Sequence, residues 1–377
     1  MRRTMRLAAG GLILAPCLPC RQMLAATAGH QAITDALAKI RQTHRVPAIA
    51  GAIVTSKGLS AIGVTGVRKV GTDIAATLVD QWHLGSDTKA MTAVLIGHWV
   101  ERKKLAWDSP MREVLPTLAG SFHRDFAGVT IRQLLQHRAG LPANLNWHNL
   151  SHSGTVMEQR VQTVREAFTA APLHPPGSKY LYSNLGYVIA GAIVEAVAQK
   201  PWEEAITEII FQPLKMTRTG FGGLGTPGQI DQPWGHVKTG KPVATNGPNV
   251  DNPPVMGPAG RVHATMQDWA QFIADTLRGA RGQTALLQPD TYKTLHAPPT
   301  GDDYALGWLV VQRGWGGGTV LNHAGCNTMF YANAWVAPRR DFAVLVCINQ
   351  GDDTAAKAAD AAASALIKIR VSINGEK

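Results

Sequence analysis

The chain has 377 residues, with 37 Lys and Arg against 26 Asp and Glu, a formal charge of +11, 45% apolar residues and 17% charged. That is globular composition, neither disordered nor fibrous, in a chain long enough to bury an ample core as one large domain. Four cysteines are too few for a disulfide scaffold, and no stretch of about 18 apolar residues exists, so a multi-span membrane protein is excluded.

The N-terminus carries Arg2, Arg3 and Arg6, then a mostly apolar run from Leu7 to Cys20. The run is too short to span a bilayer but suits the core of a signal peptide, and its Gly and Pro pairs speak against a buried helix. Ala26-Thr27-Ala28 supplies the small-x-small pattern of a cleavage site, although Arg21 interrupts the approach to it. Leu14-Ala15-Pro16-Cys17 follows a lipoprotein box only loosely, because Pro sits beside the Cys. Residues 1–28 are therefore expected to be a signal peptide and 29–377 a single domain, periplasmic or secreted. Cleavage removes four arginines and no acid, which lowers the charge from +11 to +7. It leaves Cys326 and Cys347 to meet an oxidising compartment. The remaining basic residues are scattered and match no nucleic-acid-binding module, so neither a nucleic-acid partner nor a membrane span after processing is expected.

Helical spacing marks residues 31–43. The β-branched runs 48–55 and 59–66, parted by Ser56-Lys57-Gly58, read as a hairpin. Helices are expected at 86–103, 130–137, 155–171, 184–199 and 201–212, separated by breaks such as Pro175-Pro176-Gly177. The Gly- and Pro-rich stretch 219–260 reads as a long loop or short irregular strands, of the kind that often borders a binding site. Helices follow near 265–279, with Thr265 three residues before Asp268, and near 289–296. Strands are expected at 304–312, 318–325, 329–337 and 342–350, then an Ala-rich helix at 354–370. A sheet assembled from both chain ends with helices between them is an α+β, or mixed α/β, plan.

Three short motifs carry chemistry. Ser86-Asp87-Thr88-Lys89 opens a helix, so the Ser hydroxyl and Lys amine lie on one face and backbone N–H groups point toward incoming negative charge. A serine needs a neighbouring base to become a nucleophile, and a partly buried lysine can supply or tune one; taken alone, Ser86 equally suits a helix cap. Tyr182-Ser183-Asn184 starts a second helix, and His323-Ala324-Gly325 ends a strand, with Cys326 next. Each of these alone also reads as packing, capping or a turn.

In order and element type the three together resemble the penicillin-recognising serine hydrolases, in particular the class C β-lactamase branch with its D-stereospecific peptidases and family VIII carboxylesterases. The segments TIRQLLQHRAGLP (130–142), PPGSKYLYSNLGYVIAGAIVE (175–195) and IIFQPLKM (209–216) are similar too, and the resemblance spans most of 31–370. It implies an antiparallel sheet flanked by helices, an all-helical region, and an active site between them. It implies that Ser86 carries the acyl group and that Lys89 favours an ionised Tyr182, which takes the Ser86 proton and returns it to the leaving group. Asn184 would bind a substrate amide or orient Lys89, and the N–H groups of Ser86 and Cys326, beside Gly325, would form the oxyanion hole. No cofactor or metal is implied, and the substrate would be a small molecule or peptide: an ester, a β-lactam or a D-amino-acid peptide. His323 stands where lactamases and transpeptidases usually hold Lys. A histidine is charged only below about pH 6.5, which favours an esterase or D-amino-acid peptidase over a true class C β-lactamase. Were His323 charged in its site, it would bind a substrate carboxylate.

A non-catalytic penicillin-binding or cell-wall-binding module on the same fold is the remaining alternative, disfavoured by the intact Ser86, Lys89 and Tyr182. Gly-x-Ser-x-Gly is absent, and His148 with His152 lacks the metalloprotease pattern. Trp147, Trp234 and Trp308 are read as packing residues with the option of lining the cleft. Cys326, next to the oxyanion position, is a candidate reactive thiol. By the resemblance Cys326 and Cys347 lie on strands that are not neighbours, so no disulfide is expected.

Overall fold

The computed structural model describes residues 18–147, 154–247 and 250–373, with side chains from Gly29 to Ser372, and these residues form nine strands and eleven α-helices. The strands are β1 (Ala48–Thr55), β2 (Gly58–Gly66), β3 (Gln81–His83), β4 (Thr219–Phe221), β5 (Val262–Thr265), β6 (Leu309–Arg313), β7 (Gly318–Cys326), β8 (Tyr331–Ala337) and β9 (Phe342–Ile348). The first helices are α1 (Leu18–His44), α2 (Thr88–Glu101), α3 (Met111–Val114), α4 (Ile131–Leu135), α5 (Val156–Thr169) and α6 (Asn184–Ala198). They are followed by α7 (Trp202–Ile206), α8 (Gly257–Gly260), α9 (Met266–Ala280), α10 (Pro289–Leu295) and α11 (Asp353–Ile373).

Six strands form one antiparallel sheet in the order β2-β1-β9-β8-β7-β6, so the N-terminal hairpin pairs with the last strand of the chain. Gly58 turns that hairpin at φ 113°, a conformation that costs glycine little. On one face α1 and α11 lay Ile33, Leu37 and Leu366 and a stripe of small alanines, Ala355, Ala359 and Ala362, over β1 and β9. The opposite face meets the helical region through α9, and within that region α2, buried from Thr88 to Gly97, packs on α6, α8 and α10. A second, three-stranded sheet, β3-β5-β4, links the layers at the site.

Local chemistry sets the helix starts. Thr130 with Gln133 and Thr155 with Glu158 form capping boxes, Thr265 accepts the Asp268 N–H, and Ser183 caps α6 through the Gly186 N–H. Several boundaries differ from the sequence reading, among them the following. Residues 304–308 are not strand: Gly307, at φ 84°, turns the chain where a Cβ would stand 2.7 Å from Ala90 Cα. Met329 and Phe330 stay out of β8 because their amides bond the Asn327 side chain. α1 starts at Leu18, inside the segment expected to be the leader. β3 and β5, at three and four residues, carried no readable periodicity. Cys326 on β7 and Cys347 on β9 are separated by β8 and both are free thiols.

Candidate active site

Ser86 sits in a 3-10 turn, Gly85–Asp87, that feeds directly into α2, so Lys89 projects from the next turn on the same side. Tyr182 comes from the segment just before α6, and Asn184 is that helix's first residue. The four side chains converge. The Lys89 Nζ is 3.0 Å from Ser86 Oγ and 2.7 Å from both Asn184 Oδ1 and the Ala259 carbonyl, while the Tyr182 hydroxyl donates to Ser86 Oγ at 2.9 Å. Lys89 is wholly buried and lies 5.0 Å from the centre of the Tyr182 ring.

Burial determines the charges. It lowers the Lys89 pKa to about 7, only partly opposed by Asp87, and pushes the Tyr182 phenol far above its ordinary value despite the Ser86 hydrogen bond. Of the two groups, Lys89 is the one whose pKa is brought near neutrality. Two of its N–H bonds go to fixed acceptors, Asn184 Oδ1 and Ala259 O, so in the free amine the lone pair faces Ser86 Oγ.

β7 closes the site from the other side. A Cβ on Gly325 would stand 2.0 Å from Leu84 O and 2.6 Å from Ser86 N, and one on Gly85 would stand 2.6 Å from Cys326 N. Only glycine at both positions lets the backbones of Ser86 and Cys326 come this close. Cys326 is exposed, its Sγ accepts the Thr328 N–H at 3.2 Å, and the surrounding packing raises its pKa, so the thiol is not activated.

His323 does not join the cluster as a cation. It is 5% exposed, its Nε2 is 3.0 Å from the Tyr304 hydroxyl and its Nδ1 is 3.0 Å from the Ala324 carbonyl. Burial, then the nearby Lys89, lowers its pKa to about 3. The condition for His323 to bind a substrate carboxylate, a charge on the imidazole, is thus opposed by its burial.

The cavity beside Ser86 has a volume of about 340 Å³, and among the described residues no charged side chain lines it. Asn144, Asn184, Asn252 and Asn327 line it with Trp147 and Met256. Of the three tryptophans, only Trp147 reaches it; Trp308 is in the core, and Trp234 lies under the Lys69 amine. The 219–260 stretch does border the site, through Asn252 and the strap that runs from Pro254 to Gly260. Asn144, Asn252 and Asn327 escaped the sequence reading, although Asn144 lies two residues beyond the 130–142 segment and Asn327 directly follows Cys326. Among the described residues no group of three His, Cys, Asp or Glu is placed to hold a metal, and His148 and His152 lie outside the described residues. None of the described helices is long and apolar enough to cross a membrane.

Residues 33–367 match the Beta-lactamase family. The chain belongs to this family. It is 23% identical over 291 residues to Protein flp of Staphylococcus aureus (strain NCTC 8325 / PS 47), covering 75% of this chain and 56% of that protein. The chain thus spans little more than half the length of that curated relative. It is also 31% identical over 156 residues to a putative D-alanyl-D-alanine carboxypeptidase of Escherichia coli (strain K12), covering 40% of this chain and 36% of that one. Among solved structures, a D-alanine carboxypeptidase AmpC from Burkholderia cenocepacia superposes with a TM-score of 0.70 at 19% identity, covering 89% of this chain and 99% of that one. An octameric penicillin-binding protein homologue from Pyrococcus abyssi gives 0.71 at 20% identity, covering 92% and 78%. These likenesses establish the class C β-lactamase/DD-peptidase fold. As a member of the Beta-lactamase family the chain is serine hydrolase-like, with similarity to D-Ala-D-Ala carboxypeptidases.

Proposed function

We infer that the chain is a serine acyl hydrolase that cleaves an uncharged ester, or an amide without a nearby carboxylate, through an acyl-enzyme on Ser86. The observation that carries this is Ser86 Oγ held between Lys89 Nζ and the Tyr182 hydroxyl, at the wall of a cavity that no charged side chain lines among the described residues. Lys89, as the free amine, takes the Ser86 proton while Oγ attacks the acyl carbon. The developing oxyanion is held by the Ser86 and Cys326 N–H groups. Tyr182 gives its proton to the leaving group and recovers one from the Lys89 ammonium, so the amine is free when water attacks the acyl-enzyme. Asn144 and Asn184 offer donors and acceptors to an amide in the acyl part. The neutral His323 supplies no partner for a carboxylate, which argues against a true β-lactamase and for an esterase. Export rests on residues 1–28 alone, and N-terminal sequencing of the secreted or periplasmic protein checks it: a start near Gly29 is expected, and an intact Met1 would remove the proposal.

The deciding experiment is labelling with a fluorophosphonate together with turnover of a p-nitrophenyl ester, nitrocefin and a D-alanyl anilide on one preparation. Wild type is expected to label and to favour the ester, and Ser86→Ala to do neither. Wild-type turnover in Ser86→Ala, or no labelling of wild type, would sink the reading and return the non-catalytic module. Preference for nitrocefin would return the β-lactamase.

A further inference from the structure

The carboxylate of Asp251 lies outside the motifs, yet its side chain is 1% exposed and one of its partners, Asn327, lines the cavity beside Ser86. Oδ1 is 2.9 Å from His83 Nε2 and accepts the Asn327 amide at 3.1 Å, while Oδ2 takes Arg261 Nε at 3.3 Å. Burial pulls its pKa up, but His83 and then Arg261 outweigh this and hold the carboxyl below its usual range. Such a buried charge is retained only when well partnered.

Each partner leads to a different wall. His83 Nδ1 accepts the Gly85 N–H at 3.0 Å, one residue before the nucleophile. Asn327 follows Cys326, and its Oδ1 accepts the Met329 and Phe330 N–H groups at 3.2 and 2.8 Å, fixing the turn that ends β7. The next residue, Asn252, donates to the Gly260 carbonyl at 3.0 Å and so holds the strap that carries the Ala259 acceptor of Lys89. The two backbones that provide the oxyanion donors are thus joined by one side chain from a third segment.

We propose that Asp251 is a positioning residue that sets the spacing of the Ser86 and Cys326 N–H groups by tying His83 and the turn before α2 to Asn327 and the turn after β7. This rests on the hydrolase reading above. Donors preorganised in this way act on the tetrahedral oxyanion more than on the ground-state carbonyl. Loosening the brace therefore weakens transition-state binding and leaves substrate binding nearly intact.

The test compares wild type, Asp251→Ala and Asp251→Asn, with active sites counted by fluorophosphonate and folding followed by thermal melting. Turnover per titrated site on a short-chain p-nitrophenyl ester is measured beside inhibition by a phenylboronic acid, whose adduct resembles the tetrahedral intermediate. Asp251→Ala is expected to lose about 10²-fold in kcat, the scale of one oxyanion donor, with KM within about threefold and boronate Ki raised in proportion to the loss of kcat/KM. Asp251→Asn keeps an acceptor at Oδ1 and is expected to lose a smaller but measurable amount, about three- to tenfold, with Ki again in step. Unchanged kcat per site and unchanged Ki in a folded Asp251→Ala would overturn the proposal. If that variant does not fold, the same result in Asp251→Asn would do so. A structural role alone lowers the count of active sites without moving Ki. A wild type that fails to label at all refutes the hydrolase reading instead of the brace.

Discussion

Lys89 owes its reactivity to burial. Water would hold its pKa above 10, whereas the closed environment brings it to about 7, where amine and ammonium coexist. The sign of the pH dependence follows. Below about 7 the ammonium predominates and cannot accept the Ser86 proton; above it the free amine predominates. In free enzyme, kcat/KM for an uncharged ester is expected to fall about tenfold per unit below pH 7 and to level off above it, measured from pH 5.5 to 9. A flat profile would move the base elsewhere. Asp87, beside the nucleophile, is also buried, and this pushes its carboxyl well above the usual range against the pull of Lys89. Its charge favours the Lys89 ammonium, so Asp87→Asn is expected to move the acid limb to lower pH, and an unmoved limb would show that the carboxyl places no charge beside Lys89.

The strap from Pro254 to Gly260 is positioned from three helices. From α5 the buried Arg160 donates to the Pro254 and Val255 carbonyls while paired with Glu195 and Glu203, and from α2 Thr92 donates to the Pro258 carbonyl at 2.7 Å. α6 touches it closely: a Cβ on Gly191 would stand 2.1 Å from Pro258 Cγ. Gly to Ala inside a helix normally stabilises by up to about 1 kcal/mol. Gly191→Ala is expected to do the opposite, lowering the melting temperature and activity together because the strap carries the Ala259 carbonyl. Arg160→Ala would leave two carboxylates without their cation, at a cost of about 3–5 kcal/mol in urea unfolding, and a loss under 1 kcal/mol would refute that role. None of this bracing was legible in the sequence. Ser86 with Lys89, and Tyr182 with Asn184, could be read because each pair sits within one helical turn or at one helix start. Arg160, Asp251 and Asn327 find their partners on distant segments, and no local period records such contacts. His323 was found by position but not by charge, since its surroundings come from Tyr304 and the buried Lys89 rather than from its neighbours in sequence.

That the sheet draws on both chain ends was legible, because hydrophobic runs cluster there and helical spacing fills the middle; which strand pairs with which was not. The decisive pairing is β1 with β9, and a buried asparagine locks its rim. Asn349 Oδ1 accepts the Ala48 N–H at 2.7 Å, and its Nδ2 donates to the Val67 and Arg68 carbonyls at 3.2 Å each, so one side chain bonds both margins of the N-terminal hairpin. A leucine there fills similar volume and leaves the Ala48 N–H and the Val67 carbonyl without the Asn349 bond, while the Arg68 carbonyl keeps the Trp234 N–H. An unpaired buried polar group costs about 1–3 kcal/mol, and part of that is recovered as the carbonyls relax. Asn349→Leu is therefore expected to lower global stability by about 2–4 kcal/mol. The hairpin and β9 share one sheet with the site strand β7, so the loss should appear as a single urea transition moved to lower concentration, without a partly unfolded plateau. Ester turnover per active site in the folded enzyme should stay within about twofold of wild type, since Asn349 does not line the cavity. Tryptophan fluorescence and residual activity, followed across the same titration, check both. Two separated transitions would mean that the terminal hairpin folds apart from the catalytic half, and a large fall in turnover before unfolding would place the β1–β9 rim within the machinery of the site.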